Sequence, residues 1–593
     1  MKWKNRLMGI LIFFIGIFLI LIGRLAQIQI VSTESFSGRH VNLLEKSVEQ
    51  RTHALVLDDG RGRFSDRDGK TLTDDYHPGL ILFPFLKRID WPVQKVARVL
   101  GVSGQELLRQ IKDSNNPVIF QAEGIAVRLT KQQMKDINAL GIPGVVAANT
   151  RIKGDHPLAE HLLGLTGQNE TEIKKRYGEL LQQGKISSNT LIGVSGLQQA
   201  FDEFLLTDGE AKLLYHVDRQ GEPIFGKHVK YTYPANPFYP VVIKTTIAKE
   251  LQQEAEEIVA QHGIQKGGLV LLDVATNEIL AMVSKPSLST DNPAAYQQGA
   301  VNYMLTPQFP GSVFKTVIAA AAIDKGIVEQ DRMFDCNRNP YGVGVADRPM
   351  GQLSFEESFA RSCNRTFADL AQELQQQDKD AIENYASMLG LEKTVGWMGD
   401  VFHFQGFRQL PEEQEGTIWR DEADKTVSKA IAQTAIGQKD VRLSPLAVAN
   451  MMATIARGGK KLEVKAVQEI QYKNGAKLYR FPEHEQEGET LRAETIRELQ
   501  QLLCYVVSDP KGTGAIYQSL PLTVAGKSGT AQTGKGDSVN RWFAGYFPAD
   551  HPRYALAVVD IETHSPMNST SAVFADYVRA IAAWERNVGL KTQ

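Results

Sequence analysis

Phe309-Pro310-Gly311-Ser312-Val313-Phe314-Lys315-Thr316-Val317-Ile318-Ala319-Ala320-Ala321-Ala322-Ile323 is the stretch on which the reading of this chain turns. From Val313 onward it has the length and apolarity of a buried helix, and Pro310 with Gly311 marks its start. Residues three apart share a helix face, so the Ser312 hydroxyl and the Lys315 amine can meet. A lysine in such an apolar run loses hydration, which disfavours its charged form and lowers its pKa. An amine made neutral in this way can take a serine proton and turn a poor nucleophile into a usable one. The plainer alternative is a serine that caps the helix and a lysine that snorkels to solvent.

Two stretches further along complete a pattern. Ser362-Cys363-Asn364 is a polar interruption between two helical patterns, which by itself reads as a capping turn. Lys527-Ser528-Gly529-Thr530 lies in a strand pattern. Glycine in a strand marks close approach of another backbone, which suits a peptide lying along a sheet edge. The hydroxyls of Ser528 and Thr530 with the charge of Lys527 could hold a carboxylate, although a solvated edge strand guarded by a lysine reads the same way. In order, the three describe a serine nucleophile with a lysine one turn away, a polar bridge, and a strand for an anionic substrate end. Pattern alone does not select them, because Ser508-Asp509-Pro510-Lys511, Ser187-Ser188-Asn189 and Ser538-Val539-Asn540 also match. Pro510 and the glycines at 512 and 514 disfavour a helical face at Ser508, whereas the apolar run after Ser312 and the strand around Lys527 supply the right context.

With these residues in place the chain resembles the class B (monofunctional) penicillin-binding proteins, the peptidoglycan D,D-transpeptidases. The resemblance extends to Gly268-Leu269-Val270-Leu271-Leu272-Asp273, to Gln433-Thr434-Ala435-Ile436-Gly437-Gln438 and to Trp542-Phe543-Ala544-Gly545-Tyr546-Phe547-Pro548. Upstream it includes Arg61-Gly62-Arg63-Phe64-Ser65-Asp66-Arg67-Asp68-Gly69 and Gly193-Val194-Ser195-Gly196-Leu197-Gln198. Asn277 stands where the family usually has glycine, Ser528 replaces the commoner threonine, and aspartates rather than proline precede Gly60.

The resemblance implies an α+β chain. A cytoplasmic tail (1–6) and a transmembrane helix (7–24) precede a mixed α/β, non-catalytic pedestal of dimerisation type (25–240). A transpeptidase domain (241–593) follows, with an antiparallel sheet flanked by helices and a helical subdomain. It implies Ser312, Lys315, Ser362, Asn364 and Lys527 as catalytic residues and Ser528, Gly529 and Thr530 as substrate-binding ones. Ser312 would attack the D-Ala-D-Ala bond of a stem peptide, an amine of a second stem would resolve the acyl-enzyme, and a β-lactam would leave a stalled acyl-Ser312. A D,D-carboxypeptidase or β-lactamase on the same triad, a β-lactam sensor, and a non-catalytic wall-assembly scaffold are the alternatives. Fast β-lactam turnover would favour the hydrolases, and absence of Ser312-dependent penicillin labelling would favour the scaffold.

The membrane segment follows from the residues themselves. Leu7 to Gly23 is uncharged and apolar, bounded by Arg6 and Arg24, close to the roughly 17 residues that span a bilayer at minimum. Lys2, Lys4 and Arg6 place the amino terminus in the cytoplasm and the remainder outside the cytoplasmic membrane. The run is longer than a signal-peptide core, and no Ala-x-Ala site follows it. A formal net charge of −2 gives no reason to expect nucleic-acid binding. Stem peptides, β-lactams, the membrane and a membrane glycosyltransferase are the expected partners. Three cysteines, Cys336, Cys363 and Cys504, are too few and scattered for a disulfide framework or a zinc site, so Cys363 reads as a small packing residue. No His-Glu-x-x-His occurs, and neither metal nor cofactor is expected.

The strands around Leu269, Ile279, Thr523, Trp542 and Tyr554 are expected to form the antiparallel sheet, with the helical face Val573, Tyr577, Val578, Ile581 and Trp584 packed on it. Asn474-Gly475 predicts a hairpin turn.

Overall fold

The computed structural model describes residues 2–31, 52–73, 75–112, 114, 116–122, 125–152, 158–183, 185–207, 209–216, 230–232, 236–288, 300–565 and 568–591. Parts of the expected pedestal, including the stretch after the first helix, lie outside them.

The chain forms two compact units that interleave in sequence. One comprises 1–60, 75–153 and 208–236, the other 61–74, 154–207 and 237–593. The first unit carries the amino-terminal helix Lys2–Ala26, whose side chains Leu7 to Ile22 are exposed. Among the described residues this is the one helix long and apolar enough to cross a membrane. Elsewhere in that unit, Asp75–Leu82 pairs along its length with Val145–Ile152, and Thr52–Asp58 pairs with Ala211–His216. Leu80, Leu82, Val96, Leu107, Phe120 and Ile137 form its main core.

The second unit is built on a five-stranded antiparallel sheet, as expected. Its strands, in chain order, are β1 (Gly267–Asp273), β2 (Ile279–Lys285), β3 (Ala525–Gln532), β4 (Val539–Phe547) and β5 (Tyr554–Thr563), in the spatial order β2-β1-β5-β4-β3. Alternation explains how one sheet serves two cores, because successive strand residues point to opposite faces. Leu269 and Leu271 face the helices α1 (Lys249–Gln261) and, near the carboxyl end, Ser569–Lys591, which buries Val573, Tyr577, Val578 and Ile581. Val270 and Leu272 face the other way, into a large core shared with the helical region. At the centre of that region lies α2 (Lys315–Asp324), buried from Lys315 through Ala322. A helix apolar on every side has no face to give to water and belongs inside.

One departure from the family pattern and one matching motif residue have physical explanations. Asn277 adopts φ 56°, a left-handed conformation that asparagine tolerates better than most side chains, and its amide donates to Asn450 Oδ1 and Leu462 O, both at 2.8 Å. Arg61 is buried, with Nη2 2.8 Å from Asp202 and 2.7 Å from Gln198 Oε1, so the two upstream motif stretches are joined to each other. Beyond Arg61, Arg63–Ser65 runs parallel to Val242–Thr245 in a second sheet of four strands. The hairpin expected at Asn474-Gly475 joins the other two strands of that sheet, Val467–Gln471 and Lys477–Arg480, with Gly475 at φ 84°.

Candidate active site

Ser312 does not sit on the long helix but in a 3₁₀ turn, Gly311–Phe314, that leads into α2. Three residues per turn eclipse positions i and i+3, so Ser312 and Lys315 share a side even though the turn is tighter than an α-helix. The turn is locked by glycines. Gly311 has φ 56° and its N–H donates to Gly437 O at 3.1 Å. A Cβ on Gly437, itself at φ 70°, would lie 2.0 Å from Gly311 O, and one on Gly529 would lie 2.5 Å from Pro310 O. Backbones can approach this closely only where no side chain intervenes. The nucleophile turn, the segment after Thr434 and β3 are thereby fixed against one another.

Ser362 terminates α3 (Phe355–Arg361), and Cys363 precedes α4 (Asn364–Gln377), so the interruption between two helices is where the sequence puts it. Ser362 has φ 64° and ψ 46°, the left-handed region in which a serine is strained. That conformation turns both its carbonyl and its hydroxyl towards Lys315. Lys315 Nζ donates to Asn364 Oδ1 at 2.7 Å, to Ser362 O at 3.0 Å and to Ser362 Oγ at 3.1 Å. The lysine is 0 % exposed and does not snorkel. No hydrogen bond joins it to Ser312, which is half-buried and opens on a cleft of about 610 Å³.

β3 is an edge strand, paired on one side by β4 from Ala525 to Gln532. Alternation divides its motif. Ser528 and Thr530 line the cleft, while Lys527 and Gly529 are buried on the opposite face of the strand. Lys527 Nζ donates to Ser528 O at 3.1 Å and lies 5.7 Å from the centre of the Phe359 ring.

The electrostatics follow from this burial. Desolvation, reinforced by the positive charges of Lys527 and Arg348, holds the Lys315 amine well below the usual lysine range. Desolvation and then Arg348 push Lys527 down to about 7. Among the described residues no carboxylate forms an ion pair with either amine. Two buried lysines with a third cation nearby favour at most partial protonation.

All eight anticipated residues therefore come together. Ser312, Ser362, Asn364, Ser528 and Thr530 line one cleft, Lys315 and Lys527 lie beneath it, and Gly529 seats β3 on the nucleophile turn. One expectation is corrected. Cys336 and Cys363, 27 residues apart, form a disulfide with their Cα atoms 5.9 Å apart, so Cys363 is a cross-link and not simply a packing residue. The pairing of Phe334–Asp335 with Gln352–Leu353 closes a loop that carries Cys336 back to the Ser362 turn. Cys504 is free. Among the described residues no group of His, Cys, Asp and Glu side chains is arranged to hold a metal. Arg348 and the Gly311–Gly437 contact were not signalled as site features by any local pattern. Gly437 lies in a stretch quoted above for its resemblance, which was the one available hint.

Residues 267–582 match the family described as penicillin binding protein transpeptidase domain, and residues 58–258 match the penicillin-binding protein dimerisation domain. The peptidoglycan D,D-transpeptidase PbpA of Mycobacterium tuberculosis (strain H37Rv) is 27% identical over 366 residues, 56% of this chain and 70% of that protein. The peptidoglycan D,D-transpeptidase FtsI of Escherichia coli (strain K12) is 24% identical over 567 residues, 91% of this chain and 84% of that one. A solved structure described as "Structural coordination of polymerization and crosslinking by a peptidoglycan synthase complex" shares the fold with a TM-score of 0.63 at 22% identity, covering 98% of both chains.

Proposed function

The chain belongs to the penicillin-binding protein transpeptidase family and is a peptidoglycan D,D-transpeptidase, and from that premise we propose that Ser312 is its nucleophile and Lys315 the base that activates it. The observation that carries this reading is the Lys315 amine, fully buried and held by Ser362 and Asn364 directly behind the serine turn.

Neutral Lys315 gives its two N–H groups to Ser362 O and Asn364 Oδ1, so its contact with Ser362 Oγ is made by the lone pair accepting from that hydroxyl, until a proton from Ser312 takes the lone pair. As stem peptide enters, Ser312 moves into hydrogen-bond reach, a tightening common on substrate binding. Its Oγ–H proton passes to Lys315 while Oγ attacks the carbonyl carbon of the D-Ala-D-Ala bond. The oxyanion is held by the Ser312 and Thr530 backbone N–H groups, at a few kcal/mol per donor. The C–N bond breaks as the proton passes from Lys315 through the Ser362 hydroxyl to the leaving amine. Acyl-Ser312 remains until an amine of a second stem attacks its carbonyl carbon; the new C–N bond forms, the C–Oγ bond breaks, and the amine proton passes by the same relay to Ser312 Oγ. Ser528 and Thr530 hold the terminal carboxylate by their hydroxyls, with the charge of Lys527 beneath. Bound carboxylate draws a proton onto Lys527, which desolvation had weakened as a cation. A β-lactam presenting the same carboxylate acylates Ser312 and stays.

Residues 25–240 are read as the pedestal and 241–593 as the transpeptidase domain. The amino-terminal helix is read as a single membrane pass, with catalysis outside the cytoplasmic membrane and a membrane glycosyltransferase supplying strands to cross-link. Mass spectrometry of the penicillin-treated protein tests the central assignment. The expected result is one adduct on a peptide containing Ser312, absent from Ser312→Ala. An adduct elsewhere, or an equal one on Ser312→Ala, refutes it.

A further inference from the structure

The wall of the cleft across from β3 is the loop from Cys336 to Gln352, held at its base by a two-stranded ladder and the disulfide to Cys363. Arg348 lies exposed on that loop and lines the cleft. Its Nη2 donates to the backbone carbonyl of Arg361, the residue before Ser362. Among the described residues no carboxylate pairs with it. Arg338 also lines the cleft and spends a donor on Gly342 O at 2.6 Å, again without a carboxylate.

The position of Arg348 works against the site when no ligand is considered. Its charge opposes protonation of both Lys315 and Lys527, although a charged Lys527 is what the terminal carboxylate requires. A cation placed where it disfavours its neighbours, and given no counter-ion by the protein, is left available to an anionic ligand. The terminal carboxylate already has Ser528 and Thr530 on the other wall. A cleft of about 610 Å³ is of the size that takes a whole ligand rather than a dipeptide end, and Tyr341 and Val345 of the same loop also line it.

We propose that Arg348 binds a second carboxylate of the donor stem, carried amino-terminal to D-Ala-D-Ala, and makes the enzyme prefer stems in which that carboxylate is free over stems in which it is amidated. The proposal rests on the transpeptidase reading above. It makes Arg348 a specificity residue, held in place by the Arg361 carbonyl and by the cross-linked loop.

The test uses the full chain, its Arg348→Gln variant and Arg348→Ala. Glutamine keeps a donor for the Arg361 carbonyl and removes the charge. Each protein is assayed with a pentapeptide ending in D-Ala-D-Ala that has free carboxylates, with the same peptide amidated at its internal carboxylates, and with benzylpenicillin. The ratio of kcat/KM for the two peptides is the readout, because any change in the lysines acts on both. Wild type is expected to favour the free-carboxylate peptide by about 10- to 100-fold, the size of one charge-assisted pair, and both variants should bring the ratio close to one, mainly through KM. A wild-type ratio of one overturns the proposal, as does an equal fall on both peptides in Arg348→Gln. Penicillin acylation falling as far as the free-carboxylate peptide also overturns it, since penicillin shares only the terminal carboxylate. If wild type reacts with neither peptides nor penicillin, the serine reading itself fails, a result that no behaviour of the Arg348 variants imitates.

Discussion

Ser362 performs two tasks that substitution can separate. Its left-handed backbone costs a non-glycine residue about 1–2 kcal/mol, and its hydroxyl supplies one of three hydrogen bonds to Lys315. Ser362→Ala and Ser362→Gly remove the same hydroxyl, so that loss cancels between them. Glycine escapes the left-handed penalty but gives back about 0.4–1 kcal/mol through its freer unfolded chain. Ser362→Gly is therefore expected to be more stable than Ser362→Ala by about 1 kcal/mol, roughly 2 °C in Tm for a unit of this size. Both should acylate with fluorescent penicillin about 100-fold more slowly than wild type, the size of a lost proton-transfer partner. Differential scanning calorimetry and stopped-flow labelling on the same preparations give the two numbers. If alanine proves equal or superior to glycine in stability, the strain argument is wrong. If either variant labels at the wild-type rate, the hydroxyl is not in the relay.

Other expectations follow from the same structure. Because unliganded Lys527 loses its proton at about 7, kcat/KM should fall as pH rises through that value. Both lysines titrate lower in the folded than in the unfolded chain, so the unfolded state binds more protons and stability rises with pH between about 7 and the ordinary lysine value of 10.5; Lys527→Met should flatten that slope in denaturant titrations. Gly437→Ala should cost at least about 2 kcal/mol and abolish labelling, because its Cβ meets Gly311 O at 2.0 Å. Gly475→Ala, also at positive φ but with open space around it, should cost only about 1 kcal/mol and label normally. Replacing Cys336 and Cys363 by serine releases a loop spanning 27 residues, an expected loss of about 3.5 kcal/mol by chain entropy, measurable as a shift in the urea midpoint.

How much could be read in advance depended on how local each feature is. The sheet announces itself because Leu269 to Leu272 alternate between two cores, and α2 because it is apolar on every side. Ser312 and Lys315 are close in sequence, so their shared face survives even though the turn is 3₁₀ and no hydrogen bond yet joins them. Lys527 was harder, since alternation sends its side chain to the face opposite Ser528 and Thr530. The disulfide escaped because three cysteines carry no count-based signal, and only the folded loop brings Cys336 to Cys363. Arg348 escaped for a like reason. It sits in an irregular loop whose residues have no periodicity, and its importance lies in what stands across the cleft.

The interleaving of the two units bears on how this protein can be cut. Residues 61–74 and 154–207 belong with the catalytic unit, although the chain between and after them builds the other one. A fragment starting at residue 241 would keep the whole penicillin-reactive cleft and lose Arg63–Ser65, leaving Val242–Thr245 with an unpaired edge beside the hole left by the fully buried Phe64. Such an edge recruits other strands, so the fragment would be prone to precipitate. A soluble version that retains the upstream segments, removing only the amino-terminal helix, keeps that sheet whole.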